Sequence, residues 1–299
     1  MTDITMRPEL TPAAEEVRGR SLWSDAWRRL LQNRAAVASG VILIVITLLA
    51  IAGPMLSPFS YDEVYWDFVN APPDFDSGHF FGTDQNGRDL FVRTLYGGRV
   101  SLMIGLVATL VSLVIGVAWG AIAGFVGGRV DGLMMRIVDI LYSMPFIFFV
   151  IMLTVVFGRY MVLMYAAIGA VSWLDMARIV RGQTLSLKRK EFVEAAHAAG
   201  VSTFNIIRRH IVPNTIGPVI VYVTLTVPTV MLTESFLSFL GMGVQEPNTS
   251  WGVLISEGND TLETSWWALT FPCAFLAVTL MALNFLGDGL RDAFDPKDR

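Results

Sequence analysis

The chain has 299 residues, 54% of them hydrophobic and only 16% charged, with a mean hydropathy of +0.55. A soluble domain of this length carries about a quarter charged residues, so an ordinary water-soluble enzyme is excluded. The net charge of −4 gives no general attraction for nucleic acid.

Residues 1–34 form a polar N-terminal segment. Its first 19 residues have no apolar period and are expected to be mobile. From Ser21, Trp23, Trp27, Leu30 and Leu31 fall on one helical face, with Asp25, Arg28, Arg29 and Gln32 opposite. This pattern predicts an amphipathic helix lying on a membrane surface or on a partner subunit. Residues 35–56 then carry no Asp, Glu, Lys or Arg. The run follows 34 residues and is too long for a signal core, so it is read as a first transmembrane helix rather than a cleaved signal.

Residues 57–99 make a long, acidic, turn-rich segment. The runs 100–126, 140–158, 211–233 and 265–287 are also free of Asp, Glu, Lys and Arg. Each is long enough for a hydrocarbon core, which takes about 20 helical residues. A shorter run at 160–174 extends through Asp175 to 177. Lipid requires backbone polar groups to be satisfied within the segment. The expected fold is therefore an all-α polytopic membrane protein with six transmembrane helices. The alternative is five, with residues 140–174 bent rather than turned.

Charge then sets the orientation. Segments 1–34, 127–136, 175–210 and 288–299 hold 18 of the 22 Lys and Arg residues. Cytoplasmic loops collect these residues, so both termini are expected in the cytoplasm. The core is expected to span 100–290, with a short cytoplasmic tail at 291–299. Within the second span, Ala108, Ser112, Gly116, Gly120, Gly124 and Gly128 recur every four residues. That is a small-residue face for close helix packing. Pro145 and Pro228 are expected to kink their spans.

Chemistry-bearing motifs are few. The stretch Asp84-Gln85-Asn86-Gly87 resembles a calcium loop only superficially. Asp89 stands where the sixth-position glycine belongs and Leu95 where the bidentate Glu belongs, so a structural turn is expected. His79, His197 and His210 lie outside the apolar spans, which leaves no nucleophile–base set within the membrane. Lys188, Lys190 and Lys297 neither follow Gly nor precede Ser or Thr, so no nucleotide-binding loop of that type is present. The one cysteine, Cys273, excludes an internal disulfide. Asp139 lies three residues after Arg136, and Asp175 three before Arg178; both are read as ion pairs at helix spacing. Glu234 has no such partner nearby and is a candidate for the substrate path or an external gate.

The basic loop at 178–210 is the most informative stretch. Glu191 and Glu194 open an Ala-rich segment, which suits a helix start. Gly200 is placed as its left-handed stop, and Ser202 or Thr203 can cap a second helix that reaches Pro213. The result is a rigid bracket joining two spans.

Glu194-Ala195-Ala196, then Gly200, then Pro213 resembles the coupling motif of permease subunits in ATP-binding-cassette importers. His210 and Val212 depart from the pattern where Ile and Leu are typical. Gly82-Thr83-Asp84 with Gly87-Arg88-Asp89, Ser238-Phe239-Leu240-Gly241 with Gly243-Val244-Gln245, and Gly287-Asp288-Gly289-Leu290-Arg291-Asp292 resemble the peptide branch of that family. Ser21-Leu22-Trp23, Asn33-Arg34-Ala35-Ala36-Val37-Ala38 and residues 171–196 are similar to its C-type oligopeptide permease subunits. The resemblance implies a type I importer permease fold in the cytoplasmic (inner) membrane. It implies a second homologous permease subunit around a shared path. Two ATPase subunits would hold ATP and Mg, leaving no cofactor on this chain, and an extracytoplasmic peptide-binding protein would deliver peptide. Carried over residue by residue, the coupling positions are Glu191, Glu194, Ala195, Ala196 and Gly200. The dipeptide and nickel permeases of the same family stay open as alternatives. A secondary transporter is the rival of different mechanism, but it would need ionisable groups in mid-span.

Overall fold

A computed structural model describes residues 22–158 and 160–294. The expected mobile tail at 1–19, Arg159 and the last five residues of the C-terminal tail lie outside the described residues. Among the described residues the regular structure is helical, apart from one isolated bridge between Thr83 and Asp89. The helices are α1 Leu22–Gln32, α2 Arg34–Leu56, α3 Leu90–Val126, α4 Gly128–Ser143, α5 Phe146–Phe157 and α6 Met161–Leu187. They continue as α7 Glu191–Ala198, α8 Thr203–Ile206, α9 Val212–Phe239, α10 Trp251–Asp260 and α11 Trp266–Phe294.

Four of these are individually long and apolar enough to cross a membrane: α2, α3, the continuous Thr203–Phe239 rod and α11. A fifth arises if α4 and α5, bent by 83° at their junction, count together. The expected six are therefore not all recovered by length and composition. Pro145 does more than kink the third run: it separates α4 from α5. Residues 127–136, read as a loop, are helical from Gly128. The apolar count misses this because Arg129, Asp131, Arg136 and Asp139 interrupt it.

The small-residue face of α3 packs against α6. Ser112 Oγ donates to the Ser172 carbonyl at 2.7 Å. A side chain at Gly116 would meet Met176 and the Trp173 carbonyl; one at Gly120 would meet the Ala177 carbonyl; one at Gly124 would meet Thr184. These backbones touch only because the positions lack Cβ atoms. Gly128, the last residue in the expected stripe, has nothing near it. α1 is an amphipathic helix as expected, but it rests on its own chain. Ala26 and Leu30 are buried with Ala36 and Ala293, while Trp27 and Leu31 stay exposed.

At the opposite end of the bundle, residues 57–89 fold over α10 and α11. Asp84 is the hub. It accepts the Asn86 and Arg88 backbone N–H groups at 2.8 and 2.9 Å and Arg88 Nε at 2.8 Å, and it pairs with Arg93. Arg88 Nη1 reaches Glu246 at 2.9 Å, and Arg93 Nη2 reaches Glu257 at 3.1 Å. The Arg93 side chain is only 1% exposed. Burial pushes the Glu257 carboxyl above its ordinary range, although Arg93 and Arg88 pull it down. Asp89 caps α3 by accepting the Val92 N–H at 2.8 Å and pairs with His79 at 2.8 Å. The expected structural turn at 84–89 is thus the core of a buried ionic cluster. The turn-rich stretch 241–264 also hides a helix, α10, capped by the Ser250 hydroxyl.

Two measurements test this account. Asp84→Ala leaves two buried guanidinium groups without their shared acid. It should lower stability by about 3–5 kcal/mol, read as thermal unfolding in detergent; a wild-type melting profile would refute the cluster's role. Gly120→Ala should cost about 1–3 kcal/mol by forcing α3 and α6 apart, whereas Gly132→Ala, inside α4 and facing open space, should not lower the melt and should raise it slightly.

Candidate functional site

The basic loop folds as the expected bracket. α7 starts at Glu191 and ends in a left-handed Gly200 with φ of +76°. The Val201 N–H donates to the Ala196 carbonyl at 3.1 Å and the Gly200 N–H to the His197 carbonyl at 3.0 Å. This paired pattern is the Schellman stop. Ser202 occupies the N-cap position of α8, but its side chain makes no capping bond. α8 does not stop at Pro213. It passes through a single wide turn, Ile207–Ile211, into α9. Pro213 follows directly on the wide turn, in which the Val212 N–H reaches back to the Ile207 carbonyl.

The two faces of α7 differ. Val193 and Ala196 are buried with Phe125, Ile206 and Ile211, backed by Leu187 and Val201. Glu191, Glu194, Ala195 and Ala198 are exposed, as are Phe192 and Phe204. Of the five positions carried over from the resemblance, Glu191, Glu194, Ala195 and Gly200 therefore face outward and Ala196 faces in. The bracket is pinned to the end of α3 as well. His197 stacks on the Phe125 ring with centroids 5.8 Å apart, and Lys188 Nζ donates to the Phe125 carbonyl. Sequence reasoning missed these anchors. The only available signal was an aromatic residue at the end of the second apolar run.

Glu234 is fully buried near the end of α9. Its carboxylate accepts hydrogen bonds from Ser250 at 2.6 Å, Ser238 at 2.7 Å and Ser101 at 3.2 Å. Buried carboxylates need such donors. Ser101 Oγ in turn accepts the Trp251 N–H at 3.2 Å. The residue thus ties α3, α9 and the start of α10 together, where sequence spacing offered no partner.

The two expected Asp–Arg pairs give way to pairs across helices. Arg178 on α6 pairs with Asp139 on α4 at 2.7 Å rather than with Asp175, and lies over the Tyr142 ring at 4.4 Å. Arg181 holds Asp131 through both Nε and Nη2, at 2.5 and 2.6 Å. Side chains at i and i+3 on one helix were displaced by neighbours across helices, which the linear spacing does not reveal. Asp175 is left facing a groove of about 400 Å³ between α4, α5, α6 and α9, with Tyr142, Ser172, Tyr222 and Thr226 among its lining. Glu234 is not among the lining residues. A second hollow, of about 470 Å³, opens at the opposite end, where Asp62, Trp66, Asn86, Arg88 and Glu246 meet. No group of His, Cys, Asp or Glu among the described residues is arranged to hold a metal ion.

Residues 116–299 match the family model of binding-protein-dependent transport system inner membrane components. Residues 21–73 match the N-terminal transmembrane domain of oligopeptide transport permease C. The chain is 60% identical to the oligopeptide transport system permease protein OppC of Escherichia coli K12, over 95% of this chain and 94% of that protein. It is 55% identical to OppC of Haemophilus influenzae, over 95% of this chain and 91% of that protein. Identity to the dipeptide permease protein DppC of Bacillus subtilis is 46%, over 98% and 92%. A chain of the MetNI methionine ABC transporter matches in fold with a TM-score of 0.55 at 19% identity, covering 69% of this chain and 96% of that one.

The bracket geometry carries its own test. A β-branched residue in the left-handed region is strained by about 1–2 kcal/mol. Gly200→Val should therefore fray the end of α7 and speed hydrogen exchange at residues 200 and 201 several-fold. Unchanged protection would show that the stop does not depend on this glycine.

Proposed function

The chain belongs to the binding-protein-dependent transport system inner membrane component family, and from that premise we propose that it is the C-type permease subunit of an ATP-driven peptide importer. It is a transporter subunit and not an enzyme. It sits in the inner membrane with a second, homologous permease. Two ATPase subunits hold ATP and Mg on the cytoplasmic side, and an extracytoplasmic binding protein delivers the peptide. In this reading α6 supplies the remaining span, since its 27 residues reach roughly 40 Å at the rise of a helix. Both termini are cytoplasmic, as the distribution of Lys and Arg implies.

One observation carries the mechanism. The outward stripe Glu191, Glu194, Ala195 and Ala198 lies on a helix whose other face is buried against α3. Phe192 and Phe204 extend it with exposed apolar surface, which suits a protein cleft better than water. A nucleotide-driven subunit gripping this face pushes directly on α6 and on the Thr203–Phe239 rod. The sequence carries no Gly-Lys-Ser/Thr nucleotide-binding loop, so differential contact with that partner drives its change of state. Glu234 serves here as an external gate tie, holding the far end of the same rod against α3 and α10. The hollow beside Arg88 and Glu246 is the docking face for the binding protein.

Oligopeptides are the preferred cargo, because the OppC relatives of Escherichia coli and Haemophilus influenzae match at 60% and 55% identity, against 46% for DppC, and equally for OppC, of Bacillus subtilis. The dipeptide reading is the alternative and differs only in substrate.

In proteoliposomes holding all partners, Gly200→Val should abolish peptide uptake while membrane insertion stays normal; ATP-driven uptake at the wild-type rate would overturn the bracket mechanism. Glu234→Gln keeps the shape but replaces one of the oxygens that accept from the serines with an amide nitrogen that can only donate, so uptake should drop several-fold. Full transport by that variant would count against the gate.

A further inference from the structure

The groove between α4, α5, α6 and α9 is left unexplained by the coupling mechanism. Asp175 is the one carboxylate among the described residues that line it. It sits on α6 at the end of an otherwise apolar and hydroxylic wall: Ile168, Val171, Leu225 and Val230 on one hand, Ser172, Thr226, Thr229 and Thr233 on the other. Tyr142 and Tyr222 line the same groove from two different helices. The nearest cation in sequence, Arg178, is occupied by Asp139 and by the face of Tyr142. A carboxylate in a membrane helix is costly unless it has a partner or a task. Among the described residues its polar companions in the lining are hydroxyl groups, and no guanidinium or ammonium lines the groove. Such a wall offers one negative charge, hydrogen-bonding hydroxyls and two aromatic rings, the set that holds an ammonium group.

We propose that Asp175, with Tyr142, Tyr222 and Thr226, forms a cation subsite on the peptide path that holds the ammonium of the passing peptide. The proposal rests on the permease reading above. The cation common to all unblocked peptides is the α-ammonium, and a side-chain ammonium offers the same chemistry. The subsite needs no sequence recognition. It suits a path that must accept many side chains while keeping hold of the feature they share. The apolar half of the groove then takes side chains of any kind without a specific contact.

The test uses the complete complex in proteoliposomes, with saturating binding protein. Trialanine, Ala-Lys-Ala and Ala-Glu-Ala are followed as peptide moved per ATP hydrolysed. Asp175→Asn should lower that ratio about tenfold, the loss expected when one charge-assisted hydrogen bond goes, while ATP hydrolysis without peptide stays at the wild-type level. An equal drop for all three peptides assigns the subsite to the α-ammonium. A drop for Ala-Lys-Ala alone assigns it to side-chain cations, and both results uphold a cation subsite. Asp175→Glu should restore the ratio. No change for any peptide overturns the subsite, and so does a loss of peptide-free hydrolysis to the same degree. Wild-type uptake of trialanine, measured alongside, separates either failure from a failure of the permease reading. A second readout covers a variant that fails to assemble. With Cys273 replaced by Ala and Asp175 left intact, Thr229→Cys in the same groove should react with 2-aminoethyl methanethiosulfonate and be protected by trialanine. Absence of protection overturns the proposal.

Discussion

The backbone contact between α3 and α6 is the constraint on which the rest depends. Gly116, Gly120 and Gly124 bring the two helices together over three turns, and dispersion at such short range replaces the hydrophobic drive that lipid does not supply. Everything of functional interest hangs from this pair. The α7 bracket continues α6 and is pinned to the last turn of α3 through Phe125. The Asp175 groove is carved from the face of α6 that α3 does not cover. The Glu234 tie returns to α3 at Ser101. A displacement of α6 therefore reaches the bracket and the groove together, because packed helices switch between discrete arrangements rather than deform smoothly.

The second arm of the bracket follows the same logic. The chain from Thr203 to Phe239 is one rod of 37 residues. Its single wide turn at residues 207–211 lets the helix change direction slightly without breaking the rod. A push at Phe204 is thus carried to Glu234, on the far side of the bundle, by covalent helix rather than by a chain of side-chain contacts. Pro218 and Pro228 lie within the rod and mark where it can bend.

Much of this was legible in the sequence because it depends on local periodicity. Charge-free runs located most of the spans. The period of four from Ala108 to Gly124 marked the face that meets α6, and Gly200 marked the stop of α7. What stayed hidden depends on partners distant along the chain. Glu234 looked unpartnered because Ser101 is 133 residues away. Asp139 and Asp175 were matched to arginines on their own helices, and the folded protein chose differently. α4 escaped notice because its acids and bases interrupt the apolar count, although the interruptions are those of an amphipathic helix. α10 lay beneath a stretch rich in turn-forming residues.

The Asp84 cluster has a consequence for how the chain is made. Arg88 and Arg93 find half their acids 158 and 164 residues later, at Glu246 and Glu257. At about 5–20 residues per second, a ribosome needs on the order of ten to thirty seconds to bridge that interval. During it, the nascent protein holds two guanidinium groups against one aspartate, so the first half of the fold waits as an electrostatically incomplete intermediate. Only once Glu246 and α10 have emerged is the cluster complete, and a nascent chain released before then lacks the acids that complete it.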